Sequence, residues 1–570
     1  MSSQVSFWRS LICLGLLSVL TLAGCRPTTS TVTANTNAPT VTSSKIQPLF
    51  EDIAQSAGLD YHWSIIGKRP LTILQTIGNG CAFLDYDGDG NLDILLVGPH
   101  PALYKGDSKG HFTDVTKATG LDKLAGRFLG CAVGDYDNDG YPDIYLSAYR
   151  GGVLLHNEGS GATRLYRDVT KEAGIAPQPW GTSCTFTDYD NDGKLDLYIC
   201  NYVVYGPNTK TQLCDFHGIL SSCGPRYYNP EFGVLYHNTG NGRFVDVTRA
   251  MGLNKPNVSG KALGVAAADY DGSGHQSLAI ANDEMPGNLM ARQGKAFKDL
   301  GVESGTAYGS EGGVHGGMGV DWGDYDNDGK LDLCVATYQQ EPKCLYHNTG
   351  QGLFVEQSAR MGLAEKTTGY VAFGLKFIDY DNDGFLDLII ANGHVEDNVA
   401  EIDHGASYRE PTQLFHNVNG TKFVETSGEA GPSFAKTLVG RGLAVGDFDN
   451  DGRMDALIVD AEGTPLLLHN IVPKPGHWLL CNLVGTKSNR DGIGALLTIE
   501  AGGKKLLRRC ATDGSYMSAS DRRVHVGLGD ATTATITVRW PSGIVTTHRN
   551  LPADQIVTLQ ENGTQPIARK

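Results

Sequence analysis

The ten residues DYDNDGKLDL occur at 188–197 and again at 324–333, and DYDNDGFLDL follows at 379–388. Four carboxylates within nine residues repel one another unless a cation lies among them. In the first copy Asp85, Asp87, Asp89 and Asp93 occupy positions 1, 3, 5 and 9, and Asn91 at position 7 offers a backbone carbonyl. Glycine at position 6 permits the sharp turn that aims these oxygens inward. The same register holds for Asp135, Asp137, Asp139, Tyr141 and Asp143; for Asp188, Asp190, Asp192, Lys194 and Asp196; and for Asp324, Asp326, Asp328, Lys330 and Asp332. It holds again for Asp379, Asp381, Asp383, Phe385 and Asp387, and for Asp447, Asp449, Asp451, Arg453 and Asp455. All-oxygen sets of this kind suit calcium, whereas magnesium keeps a strict octahedron with several waters and zinc prefers His and Cys. An EF-hand begins alike but needs Glu at position 12 on a helix; here position 12 is apolar, as at Leu96 and Leu146, in a strand-like run. About six calcium sites are therefore expected. A seventh copy, Asp269 to Ser277, lacks carboxylates at positions 5 and 9 and is expected to be weak or empty.

The seven copies start 50, 53, 81, 55, 55 and 68 residues apart, a period that signals a propeller or a solenoid. Two further patterns travel with them. One is LYHN or a close variant, at 154–157, 235–238, 345–348, 414–417 and 467–470; the other is FTDVT, YRDVT, FVDVT and looser forms beginning at 112, 166, 244, 297, 354 and 423. With the two runs that flank each aspartate loop, every unit offers four short strands joined by Gly/Asn turns. The chain opens on a third-pattern strand, FEDIAQSAGL at 50–59, and the repeats end on LLHN with no such strand after it. The ends complete each other, so an all-β, seven-bladed propeller closed by its first strand is expected. Small residues enter each loop, as in GCAFLDYD and LGVAAADYD, and suit strands crowded about an axis; apolar runs such as LDLIIA leave it, as sandwiched strands do.

Ahead of the repeats, Arg9 and the apolar run LICLGLLSVLTLAG read as an export signal, too short for a permanent span. Leu22-Ala23-Gly24-Cys25 resembles a bacterial lipobox, which implies cleavage before Cys25 and lipid on that residue. Residues 25–47, rich in Thr, Ser, Asn and Pro, have little to bury and read as a tether to the periplasmic or outer surface of a membrane. Without the signal, residues 1–24, 46 basic residues face 63 acidic ones, which argues against a nucleic-acid partner. Twelve cysteines in an exported chain admit disulfides. Cys214 with Cys223, Cys334 with Cys344, and Cys481 with Cys510 are the candidate pairs; buried free thiols fit Cys81 and Cys131 at least as well.

The loops and the blade pattern over 48–471 resemble the FG-GAP/VCBS repeats of integrin-α-like propellers. Residues 474–562, with HWLLCNLVG, SNRDGIGALLTIEAGG, GSYMSASDRRVHVGLGDA and VRWPSG, resemble the ASPIC/UnbV domain, leaving 563–570 as a tail. This pairing is similar to the cartilage acidic protein family. Alone, the segment reads as a small all-β domain.

Function is expected on the face opposite the metal loops, where the links after each second strand vary. His100, Tyr149, Arg150, Tyr202, Asn282, Asp283, Tyr338 and His394 lie in those links, and a long insert at 200–234 adds tyrosines. Such residues suit a glycan or protein ligand, and loop residues packing on one another is the plainer reading. Nucleophile-elbow, HExxH, P-loop and CxxCH motifs are all missing, so a binding or adhesion protein is expected. A lyase or hydrolase acting on extracellular polysaccharide, its acid and base drawn from His62, His100, His315 or His394, is the alternative.

Overall fold

The structure is a computed structural model and describes residues 47–160, 163–254, 260–563 and 567–569. The expected signal, most of the tether and Cys25 lie outside these residues. Every aspartate loop turns a hairpin between the first two strands of an antiparallel blade. In blade 1 the strands Cys81–Leu84, Asp93–Leu96, Ala102–Gly106 and Phe112–Asp114 pair in sequence order. Blade 7 owns only Gly440–Gly446, Asp455–Asp460 and Leu466–Asn470. Its fourth strand is Phe50–Asp52, with Phe50 opposite Asn470 and Asp52 opposite Leu468, so the ring of seven closes as the sequence implies. Blades 2 and 3 are also laced together where Trp180 and Gln178 pair with Tyr149 and Gly151.

The innermost strands are buried along their length, as in Ala262–Ala268. Crowding fixes their composition: a Cβ on Gly319 would lie 2.2 Å from the carbonyl oxygen of Phe373 on the next blade. Between blades, alternate faces of the second strands interdigitate, and Leu388, Ile389 and Ile390 are wholly buried.

Of the three candidate disulfides, only Cys214–Cys223 forms. Cys334 and Cys344 stay free because the register sets Leu345 opposite Cys334 and Val335 opposite Cys344, which turns the two thiols to opposite faces of the sheet. Cys481 and Cys510 are also free and buried, and the Cys510 thiol is directed at the carbonyls of Asp491 and Arg522.

The C-terminal domain packs two four-stranded sheets around Leu479, Leu497, Ile499, Val526, Ile536, Val538 and Trp540. Strand His477–Val484 runs parallel to Gln555–Gln560, and the backbone of Ile567–Arg569 adds an edge strand where a tail was expected. Between strands Lys504–Arg509 and Val524–Gly529 the chain leaves the domain and enters the axis of the propeller. There residues 512–521 bond to the inner strand of every blade. Ala519 exchanges hydrogen bonds with Cys81 and Phe83, Cys131 N–H donates to Met517 O, and Met517 N–H to Ser183 Oγ. Ala267 N–H donates to Asp513 Oδ2, Ser515 pairs with Val320, Leu375 N–H donates to Ser515 Oγ, and Asp521 N–H to Val445 O. Tyr516 is fully buried, its ring 4.9 Å from that of Phe373. Its hydroxyl donates to Ile77 O at 2.9 Å, at the end of blade 1 away from the metal loop. Replacing Tyr516 by Ala should cost about 3–5 kcal/mol, as for other large buried aromatics. Urea unfolding of the full chain measures it, and a change below about 1 kcal/mol would mean that the axial segment does not hold the ring together.

Candidate metal centres and the opposite face

Within each loop the carboxylates at positions 1 and 9 shape the backbone. Asp188 Oδ1 accepts the N–H of Asp192 at 3.0 Å and Oδ2 that of Gly193 at 3.1 Å, with Gly193 at φ 85°. Asp196, fully buried at position 9, accepts the N–H of Tyr189 through Oδ2 and that of Asn238 on the third strand through Oδ1. The carboxylates at positions 3 and 5 are left on the loop's mouth.

The His-Asn of LYHN then acquires a physical meaning. His156, His237, His347 and His416 set Nδ1 2.9–3.2 Å from the position-9 carboxylate of their own loop, and His469 sets Nε2 3.2 Å from Asp449 at position 3. Meanwhile Asn157, Asn238, Asn348, Asn417 and Asn470 each donate to the position-2 carbonyl of the preceding blade's loop, at 2.7–3.1 Å. A second belt runs the other way. The asparagine at position 4, as in DYDND, takes positive φ and donates to the position-6 carbonyl of the following loop: Asn138 to Gly193, Asn191 to Gly274, Asn327 to Gly384, Asn382 to Gly452 and Asn450 to Gly90. Sequence reasoning missed both belts, although the signal was present: the loops of blades 1 and 4 read DYDG, and their third strands carry no His-Asn.

Those two blades meet their carboxylates differently. In blade 1 the ammonium of Lys105 takes the histidine's place, bonding to Asp87 and lying 2.8 Å from Asp89 Oδ2. In blade 4 the guanidinium of Arg539, from the C-terminal domain, reaches Asp269 Oδ2 at 2.5 Å. Other arginines of that domain also face the loops: Arg523 donates to Asp447 O and Asn450 Oδ1, and Arg508 to Gly384 O.

The donor groups fit a metal ion. Asp137 with Asp143 and His156, Asp190 with Asp192 and His237, and the matching sets in blades 5, 6 and 7 hold their donor atoms within 4.8 Å of one another. Asp190 Oδ1, Asp379 Oδ1 and Asp449 Oδ1 are buried with no hydrogen-bond partner among the described residues. Burial pushes the carboxyls of Asp188, Asp324, Asp387 and Asp447 up to about 7, which marks how much their charged forms lack compensation.

On the opposite face the structure gathers some of the expected residues and separates others. Tyr202, Asp283 and Tyr338 line one cavity of about 210 Å³. His394 is wholly buried beside them, its Nδ1 3.0 Å from Glu396. Asn282 is buried and holds Pro286 O and Asn288, so it is a structural residue. Tyr149 packs edge-on to Trp180, with Arg150 over its outer face at 5.4 Å. His100 is exposed, and its backbone carbonyl accepts from Tyr61. Of the histidines weighed as acid or base, His315 is buried against the Tyr346 hydroxyl, and burial draws it down to about 4.

Comparison with known proteins follows this division. Residues 85–146, 135–199 and 324–390 match the FG-GAP-like repeat, and 485–566 match ASPIC and UnbV. The chain carries both elements. Cartilage acidic protein 1 of Xenopus tropicalis is 23% identical over 503 residues, covering 82% of this chain and 71% of the frog protein. The Mus musculus protein of that name is 23% identical over 407 residues, 60% of this chain and 59% of its own length. Among solved structures, an Agrocybe aegerita lectin described as recognising non-reducing terminal N-acetylglucosamine aligns at a TM-score of 0.40 and 14% identity, over 68% of this chain and 86% of the lectin. That likeness is too slight to carry anything about a ligand. No helix among the described residues is long and apolar enough to cross a membrane.

Asn382 is fully buried and its amide bridges the carbonyls of Gly452 and Gly476. Asn382→Ala removes both bonds, leaving the Gly452 carbonyl with His525 alone and the half-buried Gly476 carbonyl without this donor, and should lower stability by about 1–3 kcal/mol. The same substitution at the more exposed Asn138 should cost about half as much, and chemical denaturation of the two variants side by side checks the order.

Proposed function

We propose that the chain is a calcium-stabilised binding protein, held outside the cytoplasm by lipid on Cys25, that takes a glycan or protein ligand on the face opposite its metal loops. One observation carries the calcium reading: loop carboxylate oxygens are buried without a partner, Asp190 Oδ1 and Asp449 Oδ1 at position 3 and Asp379 Oδ1 at position 1. Calcium takes six to eight oxygens in flexible geometry. Positions 1, 3, 5 and 9 would supply carboxylates, and Tyr141, Lys194, Lys330, Phe385 and Arg453 their carbonyls. His156 and His237, hydrogen-bonded to the position-9 carboxylate, would orient it as outer-shell partners do. In blade 1 Lys105 stands where the histidine stands elsewhere and meets both Asp87 and Asp89, so of the six loops expected to hold calcium the five His-bearing ones of blades 2, 3, 5, 6 and 7 are the ones assigned to it.

The C-terminal domain supports the choice of face, because its arginines occupy the metal-loop side. Across the ring, the variable links and the disulfide-closed insert remain for a ligand.

Melting the full chain with calcium and with chelator tests the metal reading. Each site held at a hundredfold excess of calcium over Kd should add about 2.7 kcal/mol, so the midpoint should fall on chelation and return on calcium addition. An unchanged midpoint would sink the assignment. Metal analysis should count one calcium for each His-bearing loop, and Lys105→His should raise the count by one. A glycan array and a pull-down with the full chain then look for the ligand; binding untouched by Tyr338→Ala and Glu284→Gln would place the ligand elsewhere.

A further inference from the structure

The cavity on the opposite face lies where four neighbouring blades converge. Tyr202 comes from blade 3, Asp283 from blade 4, Tyr338 and Glu341 from blade 5, and Glu396 from blade 6. Its roof is the insert of blade 3, whose strands Leu213–Phe216 and Ile219–Ser222 form a hairpin closed by Cys214–Cys223. That hairpin reaches across to blade 6, where the amide of Asn398 donates to Leu220 O at 2.9 Å and its oxygen accepts from Ser221 Oγ at 2.7 Å. The remaining wall is apolar, with Ile77, Leu263, Met318 and Phe373.

Charge inside this space is one-sided. Asp283, Glu284, Glu341 and Glu396 line it, and the sole basic lining residue is Arg226, exposed on the roof and 3.4 Å from Glu284. Glu396 is met by Tyr338 Oη and by His394. Asp283 and Glu341 have no basic side chain within ion-pair distance among the described residues; Asp283 Oδ2 accepts from Tyr202, and Glu341 Oε2 from the N–H groups of Gly316 and Tyr338. Burial pushes Asp283 up to about 7 and pushes Glu341 up as well. Buried Lys261 acts on Asp283 at longer range than an ion pair; the Lys343 ammonium donates to the carbonyls of Tyr338, Glu341 and Tyr370, and the Arg441 guanidinium, across the Phe373 ring, donates to four carbonyls. An enclosed space with aromatic and apolar walls and carboxylates outside any ion pair favours a cation on a carbon stem, through charge pairing with the head and burial of the stem.

We propose that this cavity binds an aliphatic ammonium or guanidinium group, the head carried by a free polyamine-like molecule or by a lysine or arginine side chain. The proposal rests on reading this face as the binding face and names the chemistry of what it takes. The pocket's volume suits such a head and stem better than a branched glycan.

Calorimetric titration of the full, calcium-loaded chain tests it with n-butylamine, its neutral isostere 1-butanol, agmatine, and acetyl-arginine methylamide. The amine and guanidinium probes should bind at least tenfold more tightly than 1-butanol. Agmatine outbinding the capped arginine would point to a free ligand, and the reverse to a side chain; either supports the proposal. Asp283→Asn and Glu341→Gln should each weaken butylamine at least tenfold while the melting midpoint holds, with Glu284→Gln at the surface as a further variant should either fold poorly. Equal binding of 1-butanol and butylamine, or well-folded variants that bind butylamine as the native chain does, would overturn it. A glycan or protein captured on this face with no amine binding would overturn this inference alone, whereas amine binding with a captured ligand seated elsewhere would overturn only the wider reading of the face.

Discussion

Seven strands pointed at one axis leave seven backbone edges with nothing beside them, and an unpaired buried N–H costs as much as a lost hydrogen bond. The propeller meets that demand with residues 512–521 of its own C-terminal domain, which bond to each inner strand in turn. Gly, Ser and Ala of GSYMSAS fit the crowded axis between the inner strands, while Tyr516 and Met517 are buried there as well. One consequence is topological: the C-terminal domain is tied into the core of the ring and is no independent appendage. Another is that the axis is filled, so any ligand has to sit at its mouth.

Charge is the second demand, and the molecule answers it in three ways. Five loops set a histidine against their carboxylates, and those of blades 3, 6 and 7 keep a buried carboxylate oxygen without a partner. Blade 1 uses Lys105, and blade 4 uses Arg539 from the capping domain. Beneath the loops lies a buried cluster in which Arg509 bridges Asp321 and Asp513 while Lys376 holds Asp321 at 3.0 Å, fastening blades 5 and 6 to the axial segment. Breaking such a buried pair strands a charge, so these contacts fix geometry more surely than they add stability.

Much of this was legible beforehand. The spacing of the loops gave the blade count, and an extra strand before the repeats with one missing after them gave the closure, because both signals are local and periodic. The His-Asn of LYHN was visible as a pattern, but its partners lie 71 to 102 residues away for Asn157 and Asn238, beyond what periodicity reports. The disulfides show the same limit. Cys334 and Cys344 are near in sequence and sit on adjacent strands, yet a one-residue offset in register turns their side chains to opposite faces. The axial segment was hidden for a different reason: small polar residues between strands look like any solvent loop until a channel is there to receive them.

With one face bound to the capping domain and the axis filled, the geometry of the other face becomes unusually fixed. Its cavity draws walls from blades 3 to 6, and each of those blades is anchored at the axis by the same ten-residue segment and to its neighbours by asparagine amides. The roof is fastened at both ends, to blade 3 by the chain and to blade 6 through Asn398. A ligand entering there loses its own freedom but orders little of the protein, which is the condition under which a small group can be held selectively. The aspartate loops and the axial segment thus stiffen the walls of the cavity proposed to take an amine head.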